Sequence, residues 1–256
     1  MVSLVHPKER IYFTISILVS ILLYIVLIVS VVGILYIAIG GIVAFIMHGL
    51  LIGSIKGNGI RVSERQFPEV YSLAKQLAEK MDLNPLPAIY VVQEGGFLNA
   101  FATKFLGRNF VIIYSDVLEL AYEQGESALA FVICHELAHI KRRHLAWRWF
   151  LYPAMFIPFL GTAYSRACEY TCDRIVAHHS PDGAVEGLLV LAAGKKLYRN
   201  VNVEEFSSQL ENEGGFWVWL SEKLSTHPNL CNRVRVLKER ISALRTEQVI
   251  KSTFII

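Results

Sequence analysis

No Asp, Glu, Lys or Arg occurs between Ile11 and Ile55. A single helix over that stretch would rise about 70 Å at 1.5 Å per residue, against a hydrocarbon core of about 30 Å. Two membrane spans therefore fit the stretch, at residues 11–31 and 34–55, with Gly33 or the Gly40-Gly41 pair as the break. A cleaved signal peptide would need an apolar region of only about 7 to 15 residues. Lys8 and Arg10 precede the stretch and Lys56, Arg61 and Arg65 follow it, so both ends are expected in the cytoplasm. His48 is expected near the membrane interface. The whole 256-residue chain is 54% hydrophobic and 18% charged, well below the roughly 25% charge of an average soluble protein. With 25 basic and 22 acidic residues, nothing points to nucleic acid as a partner. Four cysteines are too few for a disulfide framework, and Cys134, Cys168 and Cys172 fall in helical patterns as reduced thiols.

The remainder reads as one mainly helical α+β domain. Residues 1–56 form the anchor and 57–256 the domain. Val70, Leu73, Ala74, Leu77 and Met81 recur at helical spacing and give an amphipathic helix over 67–83. Ala88 to Val92 and Phe110 to Tyr114 read as strands, and Gly107-Arg108-Asn109 as a hairpin turn, which together imply a small antiparallel sheet. A helix from Glu126 to Arg143 is apolar all round in its first half, as a central helix must be. Residues 145–164 are apolar but contain Arg148, Pro153 and Pro158, which leaves two readings: a packed loop, or a piece lying in the membrane interface. Further helices follow at 165–178, 184–198, 203–211 and 229–247. The run Phe216-Trp217-Val218-Trp219-Leu220 could touch lipid or bind substrate, with core packing as the leading expectation.

The chemistry concentrates in His135-Glu136-Leu137-Ala138-His139, on the central helix. Residues four apart share a helix face, so both imidazoles can reach one zinc ion. Glu136 is turned about 100° away, misses the metal and can act as general base on a metal-activated water. Leu145 stands where a metzincin would have its third His, and His144 is one residue out of register. Glu169 and Asp173 lie four apart on a later helix. Glu169 is the expected third ligand in a His₂Glu site, and Asp173 the partner of a ligating imidazole's far nitrogen. A rival set of Cys168, Cys172 and His178 or His179 would leave the His-Glu pair unused.

These residues resemble the HtpX-type membrane zinc metallopeptidases, a wider group that includes the CAAX prenyl endopeptidases. The likeness covers His135, Glu136 and His139, then Glu169 and Asp173 after Ser165-Arg166, with Asn99-Ala100-Phe101-Ala102 upstream and His227-Pro228 with Arg233 downstream. HtpX itself carries two further membrane helices between the zinc helix and the third ligand, and the residues between His139 and Glu169 are too few for them. The resemblance implies a zincin-like metallopeptidase domain holding one zinc ion per chain and cutting protein or peptide substrates. It places His227 as a second donor to the oxyanion, and Asn99, Ala100, Phe101 and Arg233 on the substrate side. It further suggests misfolded membrane proteins as substrates, and a bacterial or archaeal inner membrane as the location, with the catalytic domain cytoplasmic. The competing reading is a membrane-bound binding or scaffold module with a decayed site.

Overall fold

The computed structural model describes residues 4–93, 99–124 and 126–253. In chain order its elements are α1 (Pro7–Val29), α2 (Val31–Asn58), β1 (Ile60–Arg61), α3 (Pro68–Lys80), β2 (Ala88–Val92), β3 (Ala100–Phe105), β4 (Arg108–Tyr114), α4 (Ser115–Gln124), α5 (Ser127–Lys141), α6 (His144–Phe150), α7 (Tyr152–Met155), α8 (Leu160–His179), α9 (Ala184–Leu197), α10 (Val203–Glu213), α11 (Phe216–Leu224) and α12 (Leu230–Thr253). The fold is mainly helical with one small sheet.

Both α1 and α2 are long and apolar enough to cross a membrane. A core helix of the same composition would be covered by protein, but side chains such as Leu22, Val29, Tyr36 and Leu50 are more than half exposed. The break falls at Ser30, whose extended backbone ends α1 and whose hydroxyl accepts from the Gly33 amide to cap α2. The expected glycines do not form the break. Gly33 is needed for another reason, since a Cβ there would lie 2.2 Å from the Leu27 carbonyl oxygen.

The strand order is β1-β2-β4-β3. The sheet is mixed, not antiparallel as expected, because β2 and β4 run parallel while β3 returns against β4. A parallel pair cannot be told from an antiparallel one by alternation alone. The hairpin turn is Leu106-Gly107, one residue earlier than the sequence suggests. Both residues have positive φ (46° and 81°), the twist a two-residue turn requires. Alternation then sorts the sheet's faces. Ile89, Val91, Val111 and Ile113 meet the main core around α3 and α5, while Tyr90, Phe110 and Ile112 pack under Ile52 and Ile55 of α2. The last turns of α2 thus roof the sheet, and His48 bonds Thr103 Oγ1 at 2.9 Å and stacks on Trp149.

Helix α5 is buried along most of its length, with α3, α4, α8 and α9 packed around it. Within the segment read as loop or interface piece, α6 and α7 are short helices, and residues 156–159 form turns that lead into α8. Leu151 and Ala154 are buried, but Trp149, Phe150, Tyr152, Phe156 and Phe159 are exposed beside α1, where the Ala154 amide donates to Ser20 and the Tyr24 hydroxyl to the Trp149 carbonyl. The aromatic run of α11 does not enter the core: Phe216, Trp217 and Trp219 are all more than half exposed. Only its C-terminal end is tied down, by Arg166 and Thr162 of α8 donating to its last carbonyls.

Candidate metal centre

Spacing on α5 puts His135 and His139 on one face, and the crossing of α5 with α8 brings Glu169 to meet them. His135 Nε2 lies 3.2 Å from Glu169 Oε2, His139 Nε2 3.2 Å from Glu169 Oε1, and the two Nε2 atoms 3.3 Å from each other. Those separations match the edge of a tetrahedron with zinc–ligand bonds of about 2.0 to 2.1 Å, which is about 3.3 Å. Each imidazole nitrogen faces its own oxygen of the Glu169 carboxylate and the two nitrogens face each other, so the residues present fit a divalent ion held by two imidazoles and one carboxylate.

The electrostatics point the same way. Glu169 and Asp173 are buried carboxylates beside the single buried guanidinium of Arg233. Burial works against the charge on Glu169, but the neighbouring His135 cation outweighs it and holds the carboxyl well below its usual range. Burial likewise disfavours a charged His135, yet Glu169 and Asp173 hold a proton on it up to about 10. A proton here occupies the place that the donor set offers to a cation.

Asp173 Oδ1 lies 3.2 Å from His135 Nδ1. With that nitrogen carrying the proton, the Nε2 lone pair faces the site. Arg233, expected on the substrate side, lines the cleft beside Asp173 and Glu169. It is 4% exposed and donates to both Asp173 oxygens at 2.8 and 2.7 Å, with Nη1 3.3 Å from Glu169. Its fork is therefore taken up by the two carboxylates.

Glu136 lines the same cleft as the ligands and takes no hydrogen bond among the described residues. Asn99, Ala100, Phe101 and Ala102 form the opposite wall. There β3 is the last strand of the sheet, and among the described residues no strand pairs with its outer edge. His227 is largely exposed at the mouth, its Nε2 3.7 Å from Glu169 Oε1. Of the rival set, Cys172 comes within 4.8 Å of the two ligating imidazoles. Burial pushes its thiol well above the usual range, so it presents a neutral S–H, and the Glu169 oxygens are nearer.

Two groups have no forecast in the sequence. His144, one residue too early for a metzincin ligand, is turned back by Arg143 in the left-handed conformation (φ 57°), and its Nδ1 reaches His139 Nδ1 at 3.0 Å. Glu9 of α1 is buried, with Oε1 3.4 Å from His144 Nε2 and 2.7 Å from Arg142 Nη2. His144 could be noticed as a third histidine close to the motif, but no spacing rule links residue 9 to residue 144.

Two imidazoles one helical turn apart, a carboxylate ligand from a second helix and an intervening Glu in a cleft walled by a sheet edge define a zincin-type metallopeptidase layout. The chain belongs to peptidase family M48, whose sequence model matches residues 64–157 and 146–241. It is similar to the plastoglobule-localized metallopeptidase 48, chloroplastic, of Arabidopsis thaliana, with 26% identity over 172 residues covering 60% of this chain and 48% of that protein. It also resembles the Protease HtpX homologs of Thermodesulfovibrio yellowstonii (37% over 84 residues, 33% of this chain and 28% of the relative) and of Polynucleobacter necessarius (36% over 92 residues, 34% and 29%). The match thus spans about half the length of the first relative and under a third of the HtpX homologs. No solved structure matches the chain.

Proposed function

We propose that this chain is a membrane-anchored, zinc-dependent endopeptidase, with residues 1–56 as anchor and 57–256 as peptidase domain. The observation that carries this reading is the convergence of His135, His139 and Glu169 donor atoms at 3.2 to 3.3 Å, in one cleft with Glu136. A decayed scaffold would have no need to keep all four groups together.

Zinc, when bound, supplies a Lewis acid that polarises the scissile carbonyl and makes a water acidic enough to be activated near neutral pH. His135, His139 and Glu169 hold it. Glu136 takes a proton from the attacking water on its carboxylate and returns it to the leaving amine. His227, at the cleft mouth, donates to the carbonyl oxygen as negative charge develops there. The free edge of β3 aligns the peptide through main-chain hydrogen bonds, which gives affinity for extended chains with little dependence on their sequence.

Basic residues at both ends of the apolar stretch support a membrane anchor whose two ends and catalytic domain face the cytoplasm. Leu145, Arg148 and Met155 of the segment beside α1 line the cleft, and the outer face of that segment carries exposed aromatics. A cleft bordering such a belt suits substrates presented from the bilayer, which supports misfolded membrane proteins as the substrate class.

Purified chain should cut unfolded casein, and a chelator should stop it. Glu136→Gln should retain stoichiometric zinc while losing cleavage; retained cleavage would sink the role of the base. A Glu247→Cys label reacting only from outside intact cells would overturn the orientation.

A further inference from the structure

Glu9 is an anomaly in a membrane anchor. It sits in the first turn of α1 and is 4% exposed, and buried carboxylates persist only where partners repay their desolvation. Its first partner is Arg142, just past the end of α5, at 2.7 Å. The second is His144 Nε2, at 3.4 Å from the same oxygen. His144 is itself buried and spans the gap to the metal centre, with its Nδ1 3.0 Å from His139 Nδ1.

The hydrogens along this row are forced by its ends. For His139 to offer its Nε2 lone pair beside Glu169, its proton must be on Nδ1, which then donates to His144 Nδ1. That leaves the His144 proton on Nε2, the nitrogen that lies 3.4 Å from Glu9 Oε1, a charge contact rather than a formed hydrogen bond in this structure. With both rings neutral, no other assignment leaves the His139 Nε2 lone pair free. The N-terminal segment that carries Glu9 is also held against α8: the His6 amide donates to Thr171 Oγ1 at 2.9 Å, and the His6 ring stacks on Tyr170.

Glu9, His144 and Cys168 approach closely enough to raise a second metal site. Arg142 already occupies Glu9 Oε1, His139 takes His144 Nδ1, and burial keeps the Cys168 thiol protonated, although Glu9 Oε2 has no hydrogen-bond partner among the described residues. The cluster is better explained as support for the first centre.

We infer that Glu9, from the first membrane helix, acts through His144 as the outer carboxylate that fixes the tautomer and orientation of His139, so that the anchor completes the metal centre. Both are positioning residues, and the inference rests on the proposed zinc site.

The test is zinc affinity of the full chain in detergent micelles, read by competition with a fluorescent chelator. His144→Ala should weaken zinc by about 10 to 100-fold, the usual cost of losing an outer partner, and Glu9→Gln by about tenfold. The double variant should be no weaker than His144→Ala alone, because Glu9 reaches the metal only through that ring. His144→Gln, which can still accept from His139 and donate to Glu9, should regain most of the affinity. Arg142→Gln separates docking from positioning, since it removes the other partner of Glu9 and leaves the relay: it should lower the unfolding temperature and leave zinc affinity within about twofold. Wild-type affinity in Glu9→Gln, losses that multiply in the double variant, or an Arg142→Gln loss equal to that of Glu9→Gln would each overturn the inference while leaving the zinc site intact. Failure of the unsubstituted chain to bind zinc, or indifference to His135→Ala, would overturn the site itself and the inference with it.

Discussion

The two imidazoles of the centre are held in different ways. His135 is backed directly by Asp173, and Asp173 lies in the fork of Arg233, all three buried and drawn from α5, α8 and α12. His139 is backed at one remove, through His144 to Glu9 of the membrane helix, and the Arg142 side chain that completes that row is about one-third exposed. The first support is enclosed by the domain and is as rigid as its core. The second crosses from the domain to the anchor. The buried side chains of α1 explain how that crossing is made: Glu9, Ser16 and Ser20 lie seven and four residues apart and turn inward together. Lipid is as apolar as Leu, so in a bilayer it is the small and polar residues that mark the face packed on protein.

The largest effect should come from the group common to both halves. Glu169→Ala deletes a ligand, so zinc content and cleavage should both collapse and excess zinc should not restore them. Elemental analysis decides, and full zinc in that variant would make Cys172, the next donor, the one to test.

Breaking the enclosed half should cost more stability than breaking the half that reaches the anchor. Arg233→Met strands two buried carboxylates and should destabilise the metal-free chain by about 3 to 5 kcal/mol. Asp173→Ala should weaken zinc by about 10 to 100-fold with partial rescue by excess metal. A denaturation loss for Arg233→Met no greater than that for Arg142→Gln would erase the contrast drawn here.

Proton competition sharpens the same contrast. Burial opposes a charge on His135, but Glu169 and Asp173 prevail and raise its pKa to about 10 in the metal-free state. For a raised pKa, the stabilisation is complete below the ordinary value of about 6.5 and is lost as pH climbs toward 10. Zinc has to displace that proton, so its affinity should rise through this window by about tenfold per pH unit. Affinities that stay flat between about pH 7 and 9 would show that His135 is already neutral without metal.

The smallest effect belongs to the anchor stripe. Ser20→Ala removes the acceptor for the Ala154 amide and should cost about 0.6 kcal/mol, measured by unfolding in micelles.

The site was legible in the sequence wherever it is written in helical spacing. His135 with His139 and Glu169 with Asp173 are pairs four apart, and one turn of helix delivers each pair to one face whatever surrounds it. The strand Ala88–Val92 and the central helix were legible for the same local reason. The pairing of Arg233 with Asp173 and Glu169 was not, because the spacing of His227, Pro228 and Arg233 fixes nothing about which carboxylate lies across from α12. The exposure of Phe216, Trp217 and Trp219 was also hidden, since an aromatic run reads alike whether protein or something else covers it.

By itself the sequence determined two apolar helices and a candidate metal-ligand constellation on two further helices, because charge exclusion and residue periodicity are properties of a single segment. Tertiary structure alone decided that β2 and β4 run parallel, that Ser30 and not a glycine ends the first helix, and that Glu9 meets His144. The last of these joins residues more than a hundred apart in the chain, and only the folded protein brings them together. A buried carboxylate chooses its partner by desolvation and distance in space, and neither is recorded in the order of the residues.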